Sequence, residues 1–269
     1  MRPDAVNSVA KRETGKMPRR GLAFLLCAIS CCALAQPAIG EMPSRLSQQH
    51  FGAISPGDFQ AGDHVRFTLG RYRSEYLMRM AGEPEVYVLY ADYGSLGGRV
   101  LRYDSGAIAI QVAGWGAMTI YPDNQPDGLP AMRTGDAQPP NLPMVNQSQI
   151  LSAADDEASH LAYVSGVHVN FAADWNALAN DAGLRAIAYD TLGNAARGIA
   201  RFAANPACRD ILAQKVATIR LQTGPKLVVQ LSGNTLIVTF NPALGYMGRA
   251  SSRAIAFALG KLFAVPMPN

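Results

Sequence analysis

Between residues 64 and 121 the chain carries apolar side chains at every second position, in short runs. Val65, Phe67 and Leu69 form one run, Tyr76, Met78 and Met80 the next, then Val86, Val88 and Tyr90. Leu101 and Tyr103 follow, then Ile108, Ile110 and Val112, and finally Met118 and Ile120. Turn-forming clusters separate the runs: AGEP at 81–84, GSLGG at 94–98 and DSG at 104–106. A two-residue period puts alternate side chains on one face of a strand, and short strands at regular spacing predict an antiparallel meander. Such a meander closes on a core as a sheet or as a small barrel.

On either side of this region the period is lost. Residues 41–62 are polar and turn-rich, with Pro43, Pro56, Gly57 and Gly62, and read as a flexible lead-in. Residues 122–143 hold six prolines (122, 126, 130, 139, 140 and 143), which remove backbone donors and bias their neighbours away from helix. This stretch reads as a loop or linker continuing to about residue 150.

The middle of the chain is Ala-rich and helical in period. Ser152 is a candidate N-cap, with Asp155, Asp156 and Glu157 placed for the first turn, and the helix runs to about Gly166. A second helix starts near Ala172 and carries Trp175 and Leu178. A third places Leu184, Ile187, Thr191, Ala195, Ile199 and Phe202 on one stripe and ends at Asn205-Pro206. Three β-rich segments then follow at 216–222, 226–231 and 235–240. They are joined by TGP and SGN, and predict a three-stranded meander before a closing helix at 252–263. Strands, helices, strands and a helix in that order make an α+β fold, with 63–121 and 151–269 expected in one globular unit. No solenoid-length repeat is present.

The N-terminus changes the picture of where the protein works. Residues 21–35 (GLAFLLCAISCCALA) are apolar and uncharged, follow Arg19 and Arg20, and precede the small residues Ala33, Ala35, Ala38 and Gly40. The run is shorter than the roughly twenty residues of a membrane anchor. A positive start, a short apolar run and a small-x-small site make a cleavable secretory signal spanning residues 1–40, with cleavage after Ala35 or Gly40. Met17 is an alternative start, and Cys31 is a weak match to a lipidation site. The mature protein is therefore expected in the periplasm or secreted, without a transmembrane span.

Six of the 24 basic and two of the 20 acidic residues lie in the first forty, so the remainder balances at 18 of each. A neutral mature chain has no global field for polyanions, which argues against nucleic-acid binding. Three of the four cysteines leave with the signal. The remaining Cys208 has no intrachain partner and reads as a buried small hydrophobe.

Three motifs resemble an uncharacterised family of exported bacterial proteins, a domain of unknown function of about this length. They are GWGAMT at 114–119, NPAC at 205–208 and NPALGYMGR at 241–249 with SSRAI after it. The resemblance implies a signal peptide, and it implies no activity and no functional residues.

Candidate chemistry concentrates in residues 241–253. Two glycines precede a predicted helix start, and a helix N-terminus with free amides and a positive dipole end is a natural anion site. Arg249 and Arg253 add charge, Ser251 and Ser252 add hydroxyls, and the spacing is not that of a phosphate-binding Walker loop. The bland alternative is an ordinary N-cap serine with surface arginines. Trp115, between Gly114 and Gly116, is a secondary binding candidate; it can also simply cover a sheet end. The four histidines (50, 64, 160 and 168) have no metal-ligand spacing, and neither a Gly-x-Ser-x-Gly nor a Ser-x-x-Lys motif occurs, so no metal or cofactor is expected. The sequence favours a non-enzymatic module that binds a ligand or envelope partner. Its rival is a small hydrolase or transferase acting on an anionic envelope substrate at the same loop.

Overall fold

A computed structural model describes residues 54–266; the predicted signal segment lies outside them. The described residues all fall in a single compact unit.

The alternating runs form β2 (Val65–Tyr72), β3 (Glu75–Met80), β4 (Val86–Tyr93), β5 (Arg99–Tyr103), β6 (Ile108–Val112) and β7 (Met118–Ile120). Two further strands close them into an eight-stranded antiparallel barrel: β1 (Gly57–Ala61) and β8 (Leu129–Gly135), which pair with each other. Residues 57–61 are thus a strand and not part of a lead-in, and 129–135 are a strand inside the expected linker. Both are corrections with one physical cause. A six-stranded meander leaves two rows of unpaired backbone groups, and closure removes both edges.

The register keeps one face inward all the way round. Phe59 opposes Phe67, Leu69 opposes Met78, Met78 opposes Tyr87, and Leu89 opposes Tyr103. Leu101 opposes Ile110, Ile110 opposes Ile120, Met118 opposes Ala131, and Ala131 opposes Ala61. These side chains fill the lumen, with the Phe59 and Phe67 rings stacked at 5.1 Å. Pro130 is tolerated in β8 because there the strand pairs only with β7; the pairing with β1 begins at Ala131.

The described residues that follow the barrel form an α/β layer. Its helices are α1 (Gln147–Ser165), α2 (Trp175–Asn180), α3 (Ala182–Ala203), α4 (Pro206–Lys215) and α5 (Ser252–Leu262). Ser152 lies inside α1. The N-cap is Asn146, which forms a capping box with Gln149, and the helix ends at Gly166 with φ +67°. β9 (Asn170–Ala172), β10 (Thr218–Thr223), β11 (Val228–Ser232) and β12 (Thr235–Phe240) form a sheet in the order β11-β12-β10-β9.

The expected three-stranded meander is therefore corrected as well. β11 and β12 form a hairpin through Gly233 (φ +60°), but β12 inserts beside β10 and runs parallel to it, with β9 parallel on its other side. The residues between β10 and β11 do not make a tight turn, and the apolar Ile219, Leu221, Leu236 and Val238 bury best with β10 and β12 adjacent.

Helix α3 lies at the centre of this layer's core, burying Ile187, Leu192, Ala195, Ile199 and Phe202. Its Gly198 lets α5 come close: a Cβ there would stand 2.7 Å from the Ile255 side chain and 3.0 Å from the Ser252 carbonyl oxygen. That close crossing sets Arg197 and Arg201 beside the first turn of α5. On the outer barrel face, Leu77, Val86 and Val88 pack against Tyr246 from the 3-10 segment Pro242–Gly248.

Candidate functional site

In a meander barrel the turns alternate between two ends. The turns 62–64, 81–85, 104–107 and 121–128 share one end, and this end meets α3 and α5.

Ser251 is the N-cap of α5, its Oγ accepting from the Ala254 amide at 3.1 Å. The first free amides of the helix do bind carboxylates, and those carboxylates belong to the barrel. The Ser251 amide donates to Asp104 Oδ2 at 2.7 Å and its hydroxyl donates to Oδ1. The Ser252 amide donates to Glu85 Oε1 at 2.8 Å and its hydroxyl to Oε2 at 2.6 Å. A helix N-terminus selects anions through unpaired N–H groups and its dipole. Here the selected anions are intramolecular and staple the barrel to the helical layer.

A polar stripe on α3 completes the staple. Arg197 Nε donates to Glu85 Oε2 at 3.3 Å and Nη2 to Asn194 Oδ1 at 2.7 Å, while Asn194 donates to the Ala250 carbonyl at 3.0 Å. Arg201 Nε donates to Ser252 Oγ at 3.0 Å, Nη2 to the Tyr87 hydroxyl at 3.2 Å, and Nη1 to Asp123. Glu85 is only 1% exposed, so its charge is sustained by these donors.

The four loop candidates thus have different surroundings. Arg249 is 2% exposed, pairs with Asp190, donates to the Val86 carbonyl and lies over the Tyr246 ring at 5.1 Å. Burial lowers its pKa to about 10, against the opposing pull of Glu85 and Asp104. Ser251 and Ser252 are buried and engaged as above. Arg253 alone reaches an open cavity, paired with Asp123 and lying 4.1 Å over the Tyr103 ring. Burial raises the Asp104 pKa, with the Ser251 hydrogen bonds opposing; burial also raises the pKa of Tyr87 and Tyr103.

That cavity, about 330 Å³, is the mouth of the barrel. Tyr87, Tyr103, Ile120 and Met80 form barrel walls, while Arg201, Arg253, Arg66 and His64 bring positive or titratable groups, against Asp123 and Glu83. A larger cavity of about 470 Å³ lies at the carboxyl ends of β9 and β10, where its ionic residues are Asp174 and Arg220. Asp174 there is engaged as the N-cap of α2, accepting from the Ala177 amide. Among the described residues no group of three His, Cys, Asp or Glu is placed to hold a metal. Cys208 is buried and free.

A family model described as a domain of unknown function, DUF4908, matches residues 41–259. The chain belongs to that family. The match begins one residue after the predicted signal segment and takes in the barrel, the α/β layer and most of α5. No curated protein and no solved structure matches the chain.

The carboxylates that occupy the helix start were missed in the sequence, since Glu85 and Asp104 are 167 and 147 residues from their partners. One part was visible. Asp190, Asn194, Arg197 and Arg201 recur at intervals of four, three and four, a polar stripe beside the apolar one on the same helix.

Proposed function

We propose that this chain is an exported, periplasmic ligand-binding module that takes a small anionic ligand at the mouth of its barrel. The observation carrying this reading is the convergence of Arg201 and Arg253 on a cavity walled by Tyr87 and Tyr103. Ligand sites are concave, largely apolar, and oriented by a few fixed polar groups, and this cavity lies within the usual range of some 300–1,000 Å³. Arg201 is fixed by Ser252 and Tyr87, and Arg253 by the Tyr103 face, so both cations are preorganised. The export part rests on the apolar run at 21–35 with its preceding arginines.

Catalysis at residues 241–253 draws less support, because the Ser251 and Ser252 hydroxyls are buried and already held by carboxylates.

A thermal-shift screen with inorganic phosphate, sulfate and a small dicarboxylate tests the reading. Ligand at about a hundred times its Kd stabilises the native state by about 2.7 kcal/mol. A rise in Tm with one of these anions, lost in Arg253→Gln, is expected. A flat screen, or a shift that Arg253→Gln leaves intact, would sink the barrel-mouth site. Fractionation of the producing cells, with N-terminal sequencing of the recovered chain, tests export.

A further inference from the structure

We infer that the opposite end of the barrel is a docking surface for an anionic lipid bilayer. This end carries the β2–β3, β4–β5 and β6–β7 turns. Leu96 is 88% exposed and Trp115 78%, on the last two of these turns, and Tyr93, the last residue of β4, is 82% exposed beside them. The two turns abut: a Cβ on Gly114 would stand 2.5 Å from the Leu96 carbonyl oxygen, and one on Gly98 would stand 2.5 Å from the Val112 carbonyl oxygen. Leu96 and Trp115 therefore project from neighbouring loop tips whose other residues, 94–98 and 113–117, are only Gly, Ala and Ser, with Tyr93 flanking them at the end of β4.

Leu96 sits at φ +52°, ψ +40°. A left-handed leucine is disfavoured, and strained backbone of this kind concentrates where a side chain has a task outside the fold. Within the fold this side chain does almost nothing, being nearly fully exposed.

The charges point to the partner's chemistry. Arg71, Arg73 and Arg99 stand at the same end, each over a tyrosine ring (Tyr76, Tyr72 and Tyr93, at 4.7, 5.6 and 4.3 Å). None of the three has an ion pair among the described residues, whereas the nearby acids are engaged. Glu75 accepts from Ser74 and the Ala91 amide, Asp92 accepts from the Tyr93 amide and pairs with Arg102, and Asp136 pairs with Arg133. Trp, Tyr and Leu at loop tips, ringed by arginines free of carboxylates, match a headgroup region that is apolar below and anionic at its surface.

The test is co-sedimentation of the chain from Glu41 onward, which contains the whole family match, with phosphatidylglycerol-containing vesicles and with pure phosphatidylcholine vesicles. Binding is expected to the first and not the second. It should weaken about tenfold or more in Leu96→Ser/Trp115→Ser, and by a similar factor in Arg71→Gln/Arg73→Gln/Arg99→Gln. In a Trp175→Phe background, the fluorescence of Trp115 should shift to the blue on the anionic vesicles, a readout that needs no loop mutation. Absence of binding to phosphatidylglycerol, or binding that the loop and arginine variants leave unchanged, overturns the inference. A concentration-dependent dimer abolished by Leu96→Ser/Trp115→Ser assigns the surface to a second copy and overturns it as well.

Discussion

The two ends of the barrel are built alike, from the turns that join successive strands (four at one end, three at the other), and have opposite fates. At one end the turns carry Glu85, Asp104 and Asp123, and each of these carboxylates bonds to a donor from α3 or α5. At the other the turns carry Leu96 and Trp115, with Tyr93 at the adjoining end of β4, all strongly exposed. The difference shows how a closed barrel, with no sheet edge to offer, makes its contacts through its turns. Charge at a turn recruits a helix start; apolar side chains at a turn are left for something outside the described fold.

The sharpest way to break the comparison is at the buried pair of the docked end. Arg249→Ala leaves Asp190 buried without a cation and should cost about 3–5 kcal/mol, read by chemical denaturation. The double variant Arg249→Met/Asp190→Leu should recover most of that loss. Failure to recover would mean that the Arg249 bond to the Val86 carbonyl, and not the charge pair, holds the layers together.

Glu85→Gln keeps the shape of the side chain and removes its charge. The Ser252 amide, Ser252 hydroxyl and Arg197 all lose a charged acceptor, and a loss of about 2 kcal/mol is expected in the same assay.

Asp104→Asn should cost less, about 1 kcal/mol at neutral pH, and its effect depends on pH. Burial raises the Asp104 pKa above the ordinary 3.8, so on acidification the native chain takes up this proton before the unfolded chain does. Stability from this group is therefore fullest below 3.8 and is lost as pH rises through the raised native value. The penalty of Asp104→Asn should accordingly grow as pH falls through that window, seen by comparing denaturation midpoints of both proteins. A penalty that shrinks on acidification would contradict the assignment.

The smallest effect belongs to the free end. Leu96→Ser and Trp115→Ser should change stability by no more than about 0.5 kcal/mol, because neither side chain is packed. A larger loss would mean that the two ends are less different than their exposure indicates.

The barrel was legible to the extent that its strands alternate cleanly. β2 to β7 carry two or more inward apolar residues each, and every turn between them except Arg73-Ser74 contains glycine. β1 offers only Phe59 and Ala61, and β8 offers Leu129 and Ala131 with a proline between them, so neither stands out from loop. The candidate site was half legible. Ser251 as the N-cap of the closing helix, one of the two readings left open at that loop, followed from residue types alone. Which anion it binds did not, because proximity in space leaves no trace in a pattern of local periodicity.

By itself the sequence determined most of the elements: alternation set β2 to β7, and 3.6-residue spacing set α3 and α5. These are properties of neighbouring residues, and short-range sterics and burial are enough to decide them. Only the tertiary structure decided that the meander closes, that β12 inserts beside β10, and that the helix start at Ser251 is met by Glu85 and Asp104. Those outcomes come from satisfying every sheet edge and every buried charge at once, a condition on the whole chain that no single segment carries.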